Sequence, residues 1–226
     1  MPKFLTKITA ITQASPTVKI ITFDTPLDFV PGQFVMLTVP GYLDKTGKGP
    51  KRAYSIASAP GEPLELVIKI NPAPSLSSTI DALKIGDSAE VDGPFGKFVL
   101  REPVKQDTMF IAGGTGIAPL MSMIRHVTKQ SAPPHMKLLF GIKTIKDCIY
   151  REELAKWEKK GILIVITCLS QEEVKGLHHG RVTSILPHHT PLTDVYICGS
   201  PQMAADTITV LRTLGVSLDR IFKEQW

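Results

Sequence analysis

A chain of 226 residues can form one large domain or two small ones, and either can bury a sizeable core. With 43% apolar and 21% charged residues it has the composition of an ordinary globular protein, and its net charge of +5, without any dense Lys/Arg block, excludes a nucleic-acid footprint and favours an acidic partner. Three scattered cysteines, Cys148, Cys168 and Cys198, exclude a disulfide framework and a four-thiolate cluster, and no apolar run is long enough to span a bilayer.

The start, Met1-Pro2-Lys3-Phe4, lacks a signal-peptide run, so a reduced, cytoplasmic protein is expected. From Phe4 to about residue 100 the chain reads as strands: Phe4–Thr12, Thr17–Asp24, Gln33–Val39, Arg52–Ser58, Leu64–Ile70 and Ser88–Val91. Pro-Gly and Gly-Pro pairs at residues 31–32, 40–41, 60–61 and 93–94 break them, as in a small antiparallel barrel. A single helix, Ser78–Leu83, follows a serine-rich segment able to cap it.

After Arg101-Glu102-Pro103 strands and helices alternate. Strands are predicted at Met109–Ala112, Lys137–Gly141, Ile162–Cys168 and Asp194–Cys198, with helices at 119–129, 151–160 and 202–214. This alternation implies right-handed crossovers and a parallel sheet. The expected fold class is therefore all-β plus α/β: an antiparallel β-barrel domain over residues 1–102, then a parallel-sheet nucleotide-binding domain over 103–226. The pairs His178-His179 and His188-His189 lack a third ligand at metal spacing and read as loop residues, so no metal site is expected.

Three segments carry chemistry. In Arg52-Ala53-Tyr54-Ser55, strand alternation puts Arg52 and Tyr54 on one face, where a phenol can stack on a flat ring and a guanidinium can clamp a phosphate. Alone, this pattern more often describes an edge strand with a surface arginine and a half-buried tyrosine. In Gly113-Gly114-Thr115-Gly116-Ile117-Ala118-Pro119, glycines between a strand and a helix N-terminus suit a phosphate. The pattern departs from the usual dinucleotide fingerprint: Pro119 stands at the third glycine position, and Gly141-Ile142-Lys143-Thr144 replaces the ribose-binding carboxylate. In Val195-Tyr196-Ile197-Cys198-Gly199-Ser200-Pro201-Gln202-Met203 a thiol ends a strand at the level of Thr115, as a site residue or as a small core hydrophobe.

Together, in this order, these segments resemble the ferredoxin–NADP reductase-like flavoenzymes, over essentially the whole chain. The resemblance implies a Greek-key flavin barrel and an NAD(P)-binding domain. It implies that Arg52 meets the flavin phosphates, Tyr54 stacks on the isoalloxazine and Ser55 lies near its reactive nitrogen, with Ala53 between them. Val67, Ile68 and Lys69 correspond to the second flavin strand. Ser75, Leu76, Ser77 and Ser78 correspond to the phosphate turn, although Pro74 replaces the family's usual glycine. Gly93-Pro94-Phe95-Gly96-Lys97-Phe98 corresponds to the loop ending the barrel. Gly114, Thr115, Gly116 and Pro119 belong to the nicotinamide–pyrophosphate site, with Cys198, Gly199, Ser200 and Met203 beside the nicotinamide. Glu224-Gln225-Trp226 matches the C-terminal acidic-x-aromatic, whose aromatic gates the ring, so Ser55, Cys198, Glu224 and Trp226 are the catalytic candidates. Lys143, Ser170 and Gln171 mark the 2′-position; Gln171 stands where NADPH users often carry arginine, which leans the choice to NADH. FAD is favoured over FMN. The resemblance implies hydride uptake from NADH or NADPH and single-electron delivery to an acidic carrier such as a ferredoxin, with release of free reduced flavin or service as a subunit of a complex as alternatives. Because the sequence ends at Trp226, a C-terminal cysteine cluster is not expected. Lys45, Lys48 and Lys51, in the loop entering the flavin strand, are the candidate docking charges.

Overall fold

The computed structural model describes residues 3–25, 27–43, 47, 49–71, 75–188 and 193–225, and only the backbone of Gln225. Expectations placed on Lys45, Lys48, Pro74, His189 and Trp226 lie outside the described residues.

The first half is built from β1 (Lys3–Ser15), β2 (Val18–Phe23), β3 (Phe34–Thr38), β4 (Arg52–Ser55), β5 (Leu64–Lys69) and β6 (Ser88–Phe95). They pair antiparallel in the order β4-β3-β6-β1-β2-β5, and an Ile56–Leu66 bridge joins the two ends into a closed barrel, which leaves no free edge. Alternation decides which way each residue faces. On β5, Leu64, Leu66 and Ile68 enter the barrel core with Ile8, Ile21 and Val35. Their neighbours Glu65, Val67 and Lys69 point to the barrel's outside.

Helix α1 (Leu76–Asp81) starts two residues before its predicted position because Ser75 is the cap: its hydroxyl accepts from the Ser78 N–H, while the Ser78 hydroxyl accepts from the Ser75 N–H. The predicted break at Gly93-Pro94 is corrected too. Strand β6 runs through both residues, and a register shift against β3 between Phe34 and Met36 absorbs the irregularity.

The second half alternates β7 (Thr108–Gly113), α2 (Ile117–Thr128), β8 (Met136–Ile142), α3 (Arg151–Lys159), β9 (Leu163–Leu169), β10 (His178–His179), α4 (Val182–Ile185), β11 (Val195–Gly199), α5 (Pro201–Thr213) and β12 (Ile221–Gln225). All pair parallel, in the order β10-β9-β8-β7-β11-β12. His178-His179, expected as loop, form β10 by pairing with Cys168 and Leu169. Strand order reverses between β7 and β11, and ligands of open α/β sheets bind at the carboxyl ends of strands beside such a reversal.

One apolar cluster holds the two halves together. Val18, Ala57, Val67, Phe98 and Leu100 of the first half pack into the same buried group as Phe110, Leu120, Phe140 and Tyr196 of the second. Tyr196 is the hinge of this seam: its phenol oxygen accepts from the Arg101 N–H at 3.0 Å, and its ring meets Phe98, Phe110 and Phe222.

Candidate functional site

The loops after β7 and β11 meet at the strand reversal. Gly116 opens α2 so close to β11 that a Cβ there would sit 2.4 Å from the Cys198 carbonyl oxygen. Met203 packs its sulfur under the same junction, where a Cβ on Gly113 would lie only 2.3 Å from it. Ser200 caps α5 by accepting from the Met203 N–H, with Pro201 at the first helical position. Glycine at these points lets two loop backbones and a thioether lie in one thin layer, and the backbone of Gly114, in the left-handed region at φ 54°, turns outward into open space.

In front of that layer lies a cavity of about 690 Å³. Gly113, Gly114, Thr115, Ser200 and Met203 line its inner end, and Lys143, Ser170, Gln171 and Arg181 its outer rim. The opposite wall is barrel: Thr17, Val18 and Lys69. The rim is ordered by backbone bonds, the Ser170 and Gln171 N–H groups donating to Ile142 and Lys143 carbonyls. Arg181 at this rim pairs with Asp206 of α5 at 3.8 Å, and Asp206 also accepts from Gln202 at 2.7 Å. Cys198, Gly116, Gly199 and Pro119 are buried behind the lining, Cys198 with no exposed surface.

Strand β4 presents Arg52 and Ala53 to solvent and half-buries Tyr54 and Ser55. Burial raises the Tyr54 phenol above its ordinary value while the positive Arg52 opposes the shift, as two side chains on one face should. The Ser55 hydroxyl donates to Glu224 across the junction at 3.4 Å. Parallel pairing sets Glu224 opposite Cys198 in the register, so Ser55, Glu224 and Cys198 converge from β4, β12 and β11. Burial holds the Glu224 carboxyl above the usual carboxylate range, and the Ser55 hydrogen bond only partly offsets this. Val67 and Ile68 are buried, on opposite faces of β5. Ser75 and Ser78 spend their hydroxyls and N–H groups on each other, and the Ser77 hydroxyl accepts from the Asn71 N–H, while the Leu76 and Ser77 N–H groups take no part in that box.

Residues 5–100 match the family model described as an oxidoreductase FAD-binding domain, and residues 110–208 the oxidoreductase NAD-binding domain. The chain belongs to the ferredoxin–NADP reductase-like flavoenzymes. It is 30% identical over 213 residues to a propane 2-monooxygenase reductase component from Mycolicibacterium goodii, which covers 88% of the chain and 59% of that protein. It is 38% identical over 166 residues to methane monooxygenase component C from Methylosinus trichosporium, covering 71% of the chain and 46% of that protein. The chain thus spans about three fifths or less of these two relatives. In fold it follows a ferredoxin NADP+ reductase from Neisseria gonorrhoeae with bound FAD and NADP, at a TM-score of 0.86 and 22% identity over 100% of the chain and 99% of that structure.

A member of this flavoenzyme family needs a bed for each ring, and the residues present fit both. Gly113 and Gly114 leave no side chain between loop backbone and cavity, and Thr115 adds a hydroxyl beside them, which suits a pyrophosphate and nicotinamide. Arg52, Tyr54 and Ser55 offer a guanidinium, a phenol ring and a hydroxyl along one strand, groups able to clamp a phosphate, stack on a flat ring and hydrogen-bond it. Among the described residues no group of His, Cys, Asp and Glu suits a metal, and no helix is long and apolar enough to cross a membrane.

The sequence reading missed Arg125. Its guanidinium bridges α2, α3 and the barrel, yet a single arginine on an amphipathic helix looks like an ordinary solvated charge. Its partners Glu65, Tyr150 and Glu153 stand 60, 25 and 28 positions away, so no spacing signal points to them.

Proposed function

We propose that the chain is an NADH-dependent, FAD-containing reductase that passes electrons singly to a separate acidic carrier protein such as a ferredoxin. The observation that carries this reading is the cavity walled by both halves, barrel residues Val18 and Lys69 facing the Thr115 and Ser200 loops. When bound, the flavin takes a hydride from the nicotinamide and returns electrons one at a time, and the protein's task is to hold the two rings in a near-attack arrangement. Tyr54 and Arg52 orient the flavin. The Gly113–Thr115 loop and the Ser200 cap orient the nucleotide. Ser55 and Glu224 stand at the junction where the two would meet, Cys198 backs that point from beneath the lining, and Trp226 is the gate.

NADH is favoured over NADPH because Gln171 brings no charge to the rim and Arg181 faces Asp206, whose carboxylate would repel a 2′-phosphate. An acidic carrier is favoured by the net charge of +5 and by the names of the relatives, which are components of multiprotein oxygenases. Of the loop lysines invoked for docking, Lys51 lies 3.5 Å from Asp92 at the surface. The three cysteines form no disulfide among the described residues, which fits a reducing, cytoplasmic setting.

The test is purification with flavin extraction, then stopped-flow reduction by each nucleotide. Retained FAD and faster bleaching by NADH are expected, with Gln171→Arg moving the preference toward NADPH. Colourless protein that turns over added free flavin would instead identify a flavin-releasing enzyme. Reduction of an acidic ferredoxin should slow as salt rises, while reduction of a small neutral dye should not.

A further inference from the structure

We propose that Arg125 is a positioning residue for the hydride step, latching the nucleotide-binding half onto the flavin barrel in one rotational setting. The inference rests on the reductase reading above, and its geometry stands independently of any ligand.

Arg125 sits in the third turn of α2, the helix that directly follows the Gly114–Gly116 turn of the nucleotide site. Its side chain is only 12% exposed. Nε and Nη2 donate to the two oxygens of Glu153 on α3, at 2.8 and 2.7 Å. Nη1 turns the other way, into the barrel, donating to the Ala57 carbonyl at 2.9 Å and to Oε1 of Glu65 at 2.6 Å. The Tyr150 phenol donates to the same Glu65 oxygen at 2.8 Å, and its ring lies 5.0 Å from the guanidinium carbon. One turn on, Lys129 adds an exposed pair with Glu62 of the barrel at 2.8 Å.

The two barrel anchors are not arbitrary points. Ala57 lies two residues beyond Ser55, just past the end of β4, and Glu65 lies on β5 two residues before Val67, so both adjoin the segments proposed to hold flavin. They are also bonded to each other, the Ala57 N–H donating to the Glu65 carbonyl at 2.8 Å. Glu65, Val67 and Lys69 occupy one face of β5 and meet the other half in sequence: ion latch, apolar seam, nucleotide cavity. At roughly 3.3 Å per residue the latch lies only about 13 Å along the strand from Lys69 in the cavity wall.

The apolar seam alone does not set an angle, because burial is non-directional and two smooth surfaces can slide. A guanidinium forked into a carboxylate on one side and two fixed oxygens on the other has demands of angle as well as distance. A displacement on the order of 1 Å between donor and acceptor rings is enough to cost a large factor in rate. The latch therefore acts on the reaction through geometry rather than through contact with either ligand.

The test uses the flavin-loaded protein with Arg125→Lys, which keeps the charge and loses the fork, and Glu153→Gln, which disturbs only the α3 side. For each, stopped-flow bleaching gives the limiting rate and the NADH dissociation constant. Residual dipolar couplings report whether the two halves share one alignment tensor. The expected result is a limiting rate lower by about 10-fold or more, with flavin content and NADH affinity held, and two tensors where the parent needs one. A parent-like rate with a single tensor in both variants overturns the proposal, as does a rate loss fully matched by loss of flavin or NADH. If Arg125→Lys does not fold, Glu153→Gln decides by the same criteria. If neither nucleotide reduces the parent, the reductase reading fails, and the couplings still judge the latch.

Discussion

Glu224 is half-buried beside Ser55, and its carboxyl is raised above the usual range chiefly by that burial. A carboxyl raised on folding binds its proton more tightly in the native state. Its stabilising contribution is complete below the unfolded value near 4.3 and is lost as pH climbs through the raised native value. Glu224→Gln keeps a partner for the Ser55 hydroxyl without the charge. The variant should melt higher than the parent at pH 7 to 8, the gap closing on acidification to about pH 4; an equal gap at every pH would mean that burial does not raise the Glu224 carboxyl. Cys198, opposite it, has no exposed surface. Cys198→Ala should cost about 1 kcal/mol of stability, as trimming a small buried group does. If the thiol also supports the nicotinamide, limiting flavin reduction should slow about 10-fold, or 1.4 kcal/mol; an unchanged limiting rate would leave Cys198 as packing alone.

At the scale of elements, the approach of α2 to β11 rests on Gly116, whose backbone is in the ordinary helical region, so strain is not what demands glycine there. Space is: an added Cβ would meet the carbonyl oxygen and carbon of Cys198 and the Gly199 nitrogen, at 2.4, 2.6 and 2.9 Å. These are backbone atoms that cannot swing aside. Gly116→Ala should push the helix off the strand and cost about 1–3 kcal/mol, read by urea unfolding, and should weaken NADH binding as the loop shifts. Parent-like stability would mean that the helix has room to move. This glycine and the strand before it were legible in the sequence because each has a local signature. The same holds for β4, β5 and the α/β alternation. What was not legible depends on partners distant in the chain. His178-His179 become a strand only because Cys168 and Leu169 offer an edge, and Ile221–Gln225 because β11 does. Gly93-Pro94 looked like a break and is tolerated inside β6 by a register shift supplied by β3. Arg125 carried no sign at all, since its role exists only once α3 and β5 are brought to it.

Over the whole molecule, the question is whether the halves are independent bodies or one. The barrel has a core of its own, centred on Ile21, Leu37 and Leu66. Yet Val18, Val67, Phe98 and Leu100 leave that core and bury themselves in the cluster of the second half. At about 1.5–3 kcal/mol for each large side chain buried, four such residues contribute on the order of 10 kcal/mol to the junction. That is comparable to the entire stability of a typical domain, about 5–15 kcal/mol. A half deprived of its neighbour would expose this surface and lose the partners of Arg125 and Tyr196 as well. Unfolding should therefore be a single cooperative event in spite of two sheets of opposite type. The check is a thermal melt of a Trp226→Phe variant, which leaves Trp157 of α3 as the sole tryptophan and reporter of the second half, with flavin release reporting the barrel. The two transitions should coincide, and Arg125→Lys should shift both together. Transitions separated by several degrees would show that the seam couples the halves weakly, and rigid placement of the two rings would then have to come from the ligands.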